Sequence, residues 1–170
     1  MARVVLKLAD DVSTDTIYPG RFMATVLPAE TPQYAFADFK EFNAKLNRKE
    51  ISRGSVIVAG KNFGCGSSRE QAASCLKGHE LVIIAQSFAR IFIQNSVNLG
   101  LSTITAPQIE ASLGNELTVE GENVINRTTG RTYNIVPLSG TQQAVVDAGG
   151  LIAYTRGRLL EQVKLKTFST

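Results

Sequence analysis

The stretch that decides the fold is Gly-Lys-Asn-Phe-Gly-Cys-Gly-Ser-Ser-Arg-Glu-Gln-Ala-Ala, residues 60–73. It follows the apolar run Val56–Ala59 and leads into a segment whose apolar residues have helical spacing. A buried strand that ends in a glycine-rich turn and continues as a helix is typical of α/β proteins. The glycines allow bare backbone to approach a ligand, and two serines and an arginine follow at once. The sequence therefore predicts a strand–turn–helix unit with a pocket for a small anion at its turn.

Strand and helix signals continue on both sides of this turn. Apolar runs predict strands at residues 2–8, 55–59, 81–85 and 101–105, and helical spacing predicts helices at 33–46, 67–77 and 88–98. Three short strands joined by glycine turns are predicted between residues 116 and 136, followed by helices at 141–147 and 151–163. Without a repeat or a low-complexity linker, the pattern predicts a single mixed α/β domain over residues 1–170.

Composition restricts the class of protein. A chain of 170 residues, 44% of them apolar, is long enough to bury a sizeable core. No apolar run approaches the roughly 20 residues that span a bilayer, and the N-terminus lacks the apolar centre of a signal peptide. We therefore expect a cytoplasmic protein that does not bind membranes. The net charge is only +3 and the basic residues are scattered, so we do not expect nucleic-acid binding.

The cysteines argue against a metal centre built by this chain alone. Cys65 and Cys75 lie ten residues apart, without a C-x-x-C motif, and the sequence contains one histidine, His79. An iron–sulfur cluster is normally held by several cysteine thiolates. The sequence therefore predicts no resident metal, and Cys65 is interpreted as a small packing residue.

Two common phosphate-binding motifs are excluded at the glycine-rich turn. A P-loop requires G-x-x-x-x-G-K-[ST], but the sixth residue from Gly60 is Cys65 and no lysine follows it. A dinucleotide fingerprint requires G-x-G-x-x-G, but Arg69 stands where the third glycine would follow Gly64 and Gly66. Neither nucleotide-binding interpretation is supported.

A structural interpretation and a functional one remain. Ser67 and Glu70 have the spacing of a capping box, which predicts Ser67 as the N-cap of the following helix. Capping alone does not explain the neighbouring glycines or an arginine in the first turn. Free N–H groups, the helix dipole and a guanidinium fork all favour a carboxylate or phosphate at this point. Ser13 to Thr16 similarly predict a capped helical turn.

The residues of this turn resemble a known signature. The run Gly64 to Ala73 is similar to that of the small subunits of 3-isopropylmalate dehydratase, which belong to the aconitase family. Residues 13–17 with 19–23, and residues 87–92 with Asn95, resemble two further family segments in the expected order. The resemblance implies a swivelling β/β/α barrel-like α/β domain, like the C-terminal swivel domain of aconitase.

The resemblance also implies an activity and a partner. It predicts a hydro-lyase subunit that dehydrates and rehydrates a small hydroxy-dicarboxylate, most simply 3-isopropylmalate in leucine biosynthesis. A [4Fe-4S] cluster is expected on a partner large subunit, because this chain lacks the ligands, and the small subunit is expected to be active only with that partner. The isolated chain is compatible with a homo-oligomer.

Carried over by position, four residues belong to the implied active site. Ser67 is predicted as the catalytic base that removes a proton from the carbon next to a carboxylate. A serine needs nearby donors and positive charge to act in this way. Ser68 and Arg69 are predicted to hold a substrate carboxylate. Asp15 is predicted as a catalytic residue that orients a histidine of the large subunit.

The resemblance assigns substrate choice to a second loop. Phe22, Met23 and Ala24 are predicted substrate-binding residues, and their apolar character favours an alkyl group over a third carboxylate. A pocket distinguishes one methylene by only about 1–3 kcal/mol. The related substrates 2,3-dimethylmalate, citramalate and homoaconitate therefore remain alternatives. A non-catalytic anion-binding or RNA-binding module, and a structural domain with an incidental cap, are the competing interpretations.

Overall fold

The computed structural model describes residues 1–167 and the side chains of residues 1–162. One seven-stranded sheet has the order β4-β3-β2-β1-β5-β6-β7. The strands are β1 (Ala2–Lys7), β2 (Val56–Ala59), β3 (Val82–Ala85), β4 (Ser102–Thr105), β5 (Glu116–Glu120), β6 (Asn123–Asn126) and β7 (Thr132–Asn134). The helices are α1 (Thr14–Ile17), α2 (Lys40–Asn47), α3 (Glu70–Gly78), α4 (Arg90–Leu99), α5 (Gly140–Asp147) and α6 (Leu151–Thr167).

Half of the sheet is parallel and built from strand–helix–strand units. Strands β1 to β4 pair in parallel, and the register aligns Val56 with Val82 and Ala59 with Ala85. All four residues of β2 are buried, as expected for a strand covered on both faces. Parallel pairing places the carboxyl ends of β1, β2 and β3 at one edge of the sheet.

The other half is antiparallel and curls the sheet. β5, β6 and β7 form an antiparallel meander whose first strand pairs with β1. The Val136 N–H donates a 2.8 Å hydrogen bond to the Thr105 carbonyl, which joins the chain after β7 to the end of β4. The two edges of the sheet therefore approach each other, and the sheet has the predicted barrel-like form.

Two apolar clusters lie on opposite faces of this curled sheet. Alternation along β2 sends Ile57 into one cluster and Val56 and Val58 into the other. The first cluster joins the sheet to the helices and contains the fully buried Phe63 and Phe92. The second lies on the inside of the curl. The helix layer of the first cluster therefore lies directly beneath the glycine-rich turn.

One predicted helix is wrong in its extent. The segment 33–46 is not continuous: a 3-10 turn covers Thr31–Tyr34, and α2 begins only at Lys40. Phe36 interrupts it with a left-handed φ of 52°. Its side chain is completely buried and meets the Phe42 ring edge-on at 5.7 Å between centroids. Burial of this aromatic ring therefore outweighs helical continuity.

The remaining predicted elements are found within a few residues of their expected bounds. Gly100 ends α4 with a left-handed φ of 70°, as the helix-stop pattern requires. Within residues 1–167, none of the helices combines the length and apolar character required to cross a bilayer.

Candidate active site

Three loops meet at the carboxyl edge of the parallel strands. The loop after β1 contacts the loop after β2 through several hydrogen bonds, among them those from the Gly64 N–H to the Val12 carbonyl (2.7 Å) and from the Thr14 N–H to the Cys65 carbonyl (2.8 Å). The loop after β3 joins through the Phe63 N–H, which donates to the Ser87 carbonyl at 3.0 Å. Crevices outside the carboxyl ends of such strands are the usual ligand sites of α/β sheets.

The glycine-rich turn requires its glycines for two reasons. Gly64 and Gly66 have φ values of +80° and +93°, which side chains rarely adopt. A Cβ on Gly64 would also lie 2.2 Å from Cγ of Phe92. Phe92 on α4 therefore supports the turn from below. Helical spacing predicted that Phe92 lies on a helix, but no sequence signal indicated that it contacts the turn.

The predicted capping box is wrong. Helix α3 begins at Glu70 with Arg69 as its N-cap and no side-chain cap, so Ser67 precedes the helix by three residues. The cause is a contact between loops: the Thr14 hydroxyl donates to the Ser67 carbonyl at 3.1 Å. Together with the left-handed Gly66, this contact holds the backbone in a turn and leaves Ser67 and Ser68 exposed.

Asp15 and Arg69 face each other across the two loops. The Ser13 hydroxyl accepts a 3.1 Å hydrogen bond from the Thr16 N–H and caps α1, as predicted, and α1 carries Asp15. Arg69 forms a bidentate ion pair with this carboxylate, from Nη1 to Oδ1 and from Nη2 to Oδ2, the latter at 3.0 Å. The Gly20 N–H also donates to Oδ1 at 2.9 Å.

The environment of Asp15 favours its ionised form. Hydrogen bonds from Arg69 and then from the Gly20 backbone lower the pKa of Asp15 below its ordinary value. The Arg69 side chain is 13% exposed, whereas that of Asp15 is 63% exposed. Arg69 Nη1 donates in addition to the Tyr18 carbonyl at 3.2 Å. The guanidinium is therefore held in place by the fold, and the carboxylate reaches it from the solvent side.

The predicted specificity loop is anchored by aromatic packing. The Phe22 ring stacks on Tyr34 with centroids 4.1 Å apart, so this side chain packs mainly on its own domain. The buried Tyr18 hydroxyl donates to the Phe22 carbonyl at 3.1 Å and fixes the loop backbone. Met23 is 46% exposed and Ala24 is exposed. Contact of these three residues with substrate stays a prediction.

The cation in this loop is already engaged. Arg21 forms an ion pair with Asp38, with Nη2 2.5 Å from Oδ1. Its guanidinium also lies 4.7 Å from the centroid of the Phe22 ring. Arg21 is therefore held away from the role of a free carboxylate receptor.

The cysteines do not fit the ligand set of an iron–sulfur cluster. Cys75 is completely buried, and this burial raises the pKa of its thiol well above the ordinary range. Its Sγ donates to the Ala72 carbonyl at 3.3 Å, as a core residue. Among the described residues, no three side chains of His, Cys, Asp or Glu come together as a metal site.

Sequence reasoning missed a pair of strained residues beside the turn. Asp11 and Asn62 both have left-handed backbones, with φ of 55° and 59°. The Asn62 side-chain amide donates to Asp11 Oδ1 at 2.7 Å, which ties the first loop to the second. Asn and Asp tolerate this conformation better than other side chains. The residue types at positions 11 and 62 were therefore the one signal in the sequence that could have indicated these left-handed conformations.

Comparison with known proteins identifies the family of this chain. Residues 23–109, just over half of the chain, match the family described as the aconitase C-terminal domain. The chain is 41% identical over 160 residues to the 3-isopropylmalate dehydratase small subunit of Methanosarcina mazei, covering 92% of this chain and 96% of that protein. It is 38% identical over 161 residues to the methanogen homoaconitase small subunit of Methanocaldococcus jannaschii, covering 93% and 92%.

A solved structure extends the agreement to the fold. The crystal structure described as 3-isopropylmalate dehydratase from Methanocaldococcus jannaschii superimposes with a TM-score of 0.85 at 37% identity, covering 95% of this chain and 96% of that one. At this coverage the match extends well beyond residues 23–109. This chain therefore belongs to the aconitase C-terminal domain family and is similar over nearly its whole length to small subunits of 3-isopropylmalate dehydratase.

Proposed function

We propose that this chain forms half of the active site of a heteromeric hydro-lyase acting on an alkyl-substituted malate, with 3-isopropylmalate as the first candidate. The observation that carries the proposal is the largely buried Arg69 guanidinium, which holds a carboxylate in bidentate geometry beside the exposed Ser67 and Ser68. A planar fork of this kind suits a substrate carboxylate. Relatives named as dehydratase small subunits support the reaction class.

In this proposal Ser67 is the base. Its backbone is held by the Thr14 hydroxyl, and the nearby Arg69 supplies positive charge. A serine hydroxyl is a poor base at neutral pH, so it needs such charge to favour the alkoxide. Ser68 and Arg69 hold the carboxylate next to the carbon that loses its proton. Asp15 contributes from α1, toward a histidine on the partner.

The proposal requires a second chain. Ser67, Ser68 and Asp15 are exposed, which is the arrangement expected if another protein covers them. The family implies an iron–sulfur cluster, and the cysteines described above do not fit it. We therefore assign the cluster to the large subunit and the whole of this chain to one swivel-type domain in a cytoplasmic enzyme.

The apolar loop favours an alkyl substituent. Arg21 is paired with Asp38, so residues 18–27 present no free cation for a third carboxylate. Met23 and Ala24 are exposed at the tip and are apolar. The homoaconitase relative keeps a homologous tricarboxylate as the second candidate, because it is nearly as similar as the dehydratase subunits.

The test is reconstitution with a cluster-loaded large subunit. We expect no dehydration of 3-isopropylmalate by either chain alone and turnover by the pair, followed by absorbance of the unsaturated product. Citramalate, 2,3-dimethylmalate and homocitrate form the substrate panel.

Variants of this chain identify the roles within the pair. Ser67→Ala should lower kcat by at least about 100-fold, in the range of general-base loss. Glu120→Gln, which removes an exposed carboxylate from the antiparallel strands, is the matched control and should retain turnover. Near-normal turnover by Ser67→Ala would remove Ser67 as the base. Turnover of none of these substrates, together with tight salt-dependent RNA binding, would instead support a non-catalytic module.

A further inference from the structure

The hydrogen-bonding capacity of Arg69 is nearly used up inside the chain. A guanidinium has five N–H donors. Nη1 donates to Asp15 Oδ1 and to the Tyr18 carbonyl, and Nη2 donates to Asp15 Oδ2. Nε is buried and finds no partner among the described residues. One Nη2 hydrogen is left for a ligand that arrives from solvent.

This count conflicts with a substrate role for Arg69 in the conformation seen. Bidentate binding of a carboxylate uses either the two Nη atoms or the edge formed by Nε and Nη2. Asp15 occupies the first position, and burial closes the second. A substrate carboxylate can therefore bind Arg69 in bidentate geometry only after Asp15 has moved away.

The two partners differ in their freedom to move. The Arg69 side chain is 13% exposed and is retained by the Tyr18 carbonyl. The Asp15 side chain is 63% exposed, and it lies on a helix of only four residues. When Asp15 leaves, its carboxylate returns to water and the arriving carboxylate takes its place, so the largely buried Arg69 is not left unpaired. The carboxylate is thus the mobile member of the pair.

We propose that Asp15 competes with the substrate carboxylate for the bidentate binding position on the Arg69 guanidinium, and that Asp15 leaves this position when substrate binds. The inference rests on the proposed role of Arg69 as the carboxylate clamp. It also gives Asp15 two successive partners: Arg69 in the free subunit, and a group on the large subunit in the loaded enzyme. The exchange makes substrate binding and assembly mutually supportive.

The competition can be measured on the isolated chain. Calorimetric and NMR titrations with 3-isopropylmalate and with succinate should show that Asp15→Asn binds each acid about three- to tenfold more tightly than wild type, the size expected for loss of one partly exposed competing pair. The amide keeps an oxygen to accept from the Gly20 N–H, so the loop is preserved. Asp15→Ala provides a second variant if the amide disturbs folding.

Two further variants make the result specific. Glu120→Gln also frees a paired arginine, Arg127, and it removes the same charge from a side chain 53% exposed, on the antiparallel strands. It should leave the affinity unchanged. The double variant Asp15→Asn/Arg69→Gln should lose the gain entirely. A gain that is equal for Asp15→Asn and Glu120→Gln would show a general charge effect and would overturn the inference.

The remaining outcomes are equally decisive. The competitor role is overturned if folded Asp15→Asn binds the acids no more tightly than wild type. It is also overturned if no variant binds them at concentrations 50-fold above the KM of the reconstituted enzyme. Failure of the proposed function is separate, because it appears as absent turnover in the reconstituted pair. Turnover that depends on Ser67 with no gain in Asp15→Asn would reject only the competition.

Discussion

Replacement of Gly64 by alanine should destabilise this protein more than replacement of Gly66 or Gly121, two left-handed glycines without a close neighbour. The new Cβ would lie 2.2 Å from Cγ and 2.5 Å from Cβ of Phe92, in a fully packed core. A left-handed φ costs an alanine about 1–2 kcal/mol. Forcing a methyl group into a packed core costs about 1–3 kcal/mol more. We therefore expect a loss of about 2–5 kcal/mol in the free energy of unfolding.

Urea and thermal unfolding followed by circular dichroism measure this loss. For a chain of this size, the expected change lowers the thermal midpoint by roughly 4–20 °C. Gly121→Ala is the matched control, because Gly121 has a φ of +58° and no atom within 4 Å of a built Cβ. It should lose only the conformational part, about 1–2 kcal/mol.

A third glycine places the clash on a scale. Gly66 has a φ of +93°, and a Cβ there would lie 3.5 Å from the Thr14 hydroxyl, an ordinary contact. Gly66→Ala should therefore resemble Gly121→Ala in stability, although it should impair turnover in the reconstituted enzyme. The reasoning is refuted if Gly64→Ala is no less stable than Gly121→Ala, since Phe92 would then not support the turn.

Three other predictions concern the site and its surroundings. Thr14→Val should lower kcat by reducing the hold on Ser67, because it removes the hydroxyl that donates to the Ser67 carbonyl, and Thr14→Ser should restore turnover. Because the pKa of Asp15 in the folded protein is lowered from 3.8, its pair with Arg69 should stabilise the fold above that pH and lose this effect as the pH falls further. In Asp15→Asn, the free energy of unfolding should therefore fall less steeply at acidic pH. The Cys75 thiol, whose pKa is raised by complete burial, should resist iodoacetamide at pH 8 in the native protein and react after unfolding. Rapid alkylation of Cys75 in the native protein would contradict its burial.

Local patterns predicted the parallel half of the fold well because strands and helices there follow apolar periodicity. Residues 55–59 and 81–85 contain β2 and β3, and Gly100 ends α4 as expected. Periodicity failed at residues 33–46, where burial of Phe36 required a left-handed backbone. A pattern of apolar residues does not reveal which aromatic ring is buried in the core. Here the buried ring is that of Phe36, and its burial interrupts the helix.

The candidate site shows the same division. The glycine-rich turn and the resemblance placed Ser67, Ser68 and Arg69 in one segment. The helix start was misplaced, because capping rules consider only nearby residues, whereas Thr14 holds the Ser67 carbonyl from 53 residues away. Local sequence carries no record of such a partner. The roles of these side chains toward substrate stay predictions.

The sequence by itself determined the order of strands and helices, the turn that needs glycine, and the family to which the chain belongs. These features depend on residues close together in the chain or on similarity to relatives. Only the tertiary structure decided that Asp15 fills the fork of Arg69, 54 residues away, and that Phe92 lies beneath Gly64. The physical reason is the pairing of β1 with β2, which brings their following loops together at one edge of the sheet. The glycine-rich turn therefore presents an arginine that already binds a carboxylate of its own chain.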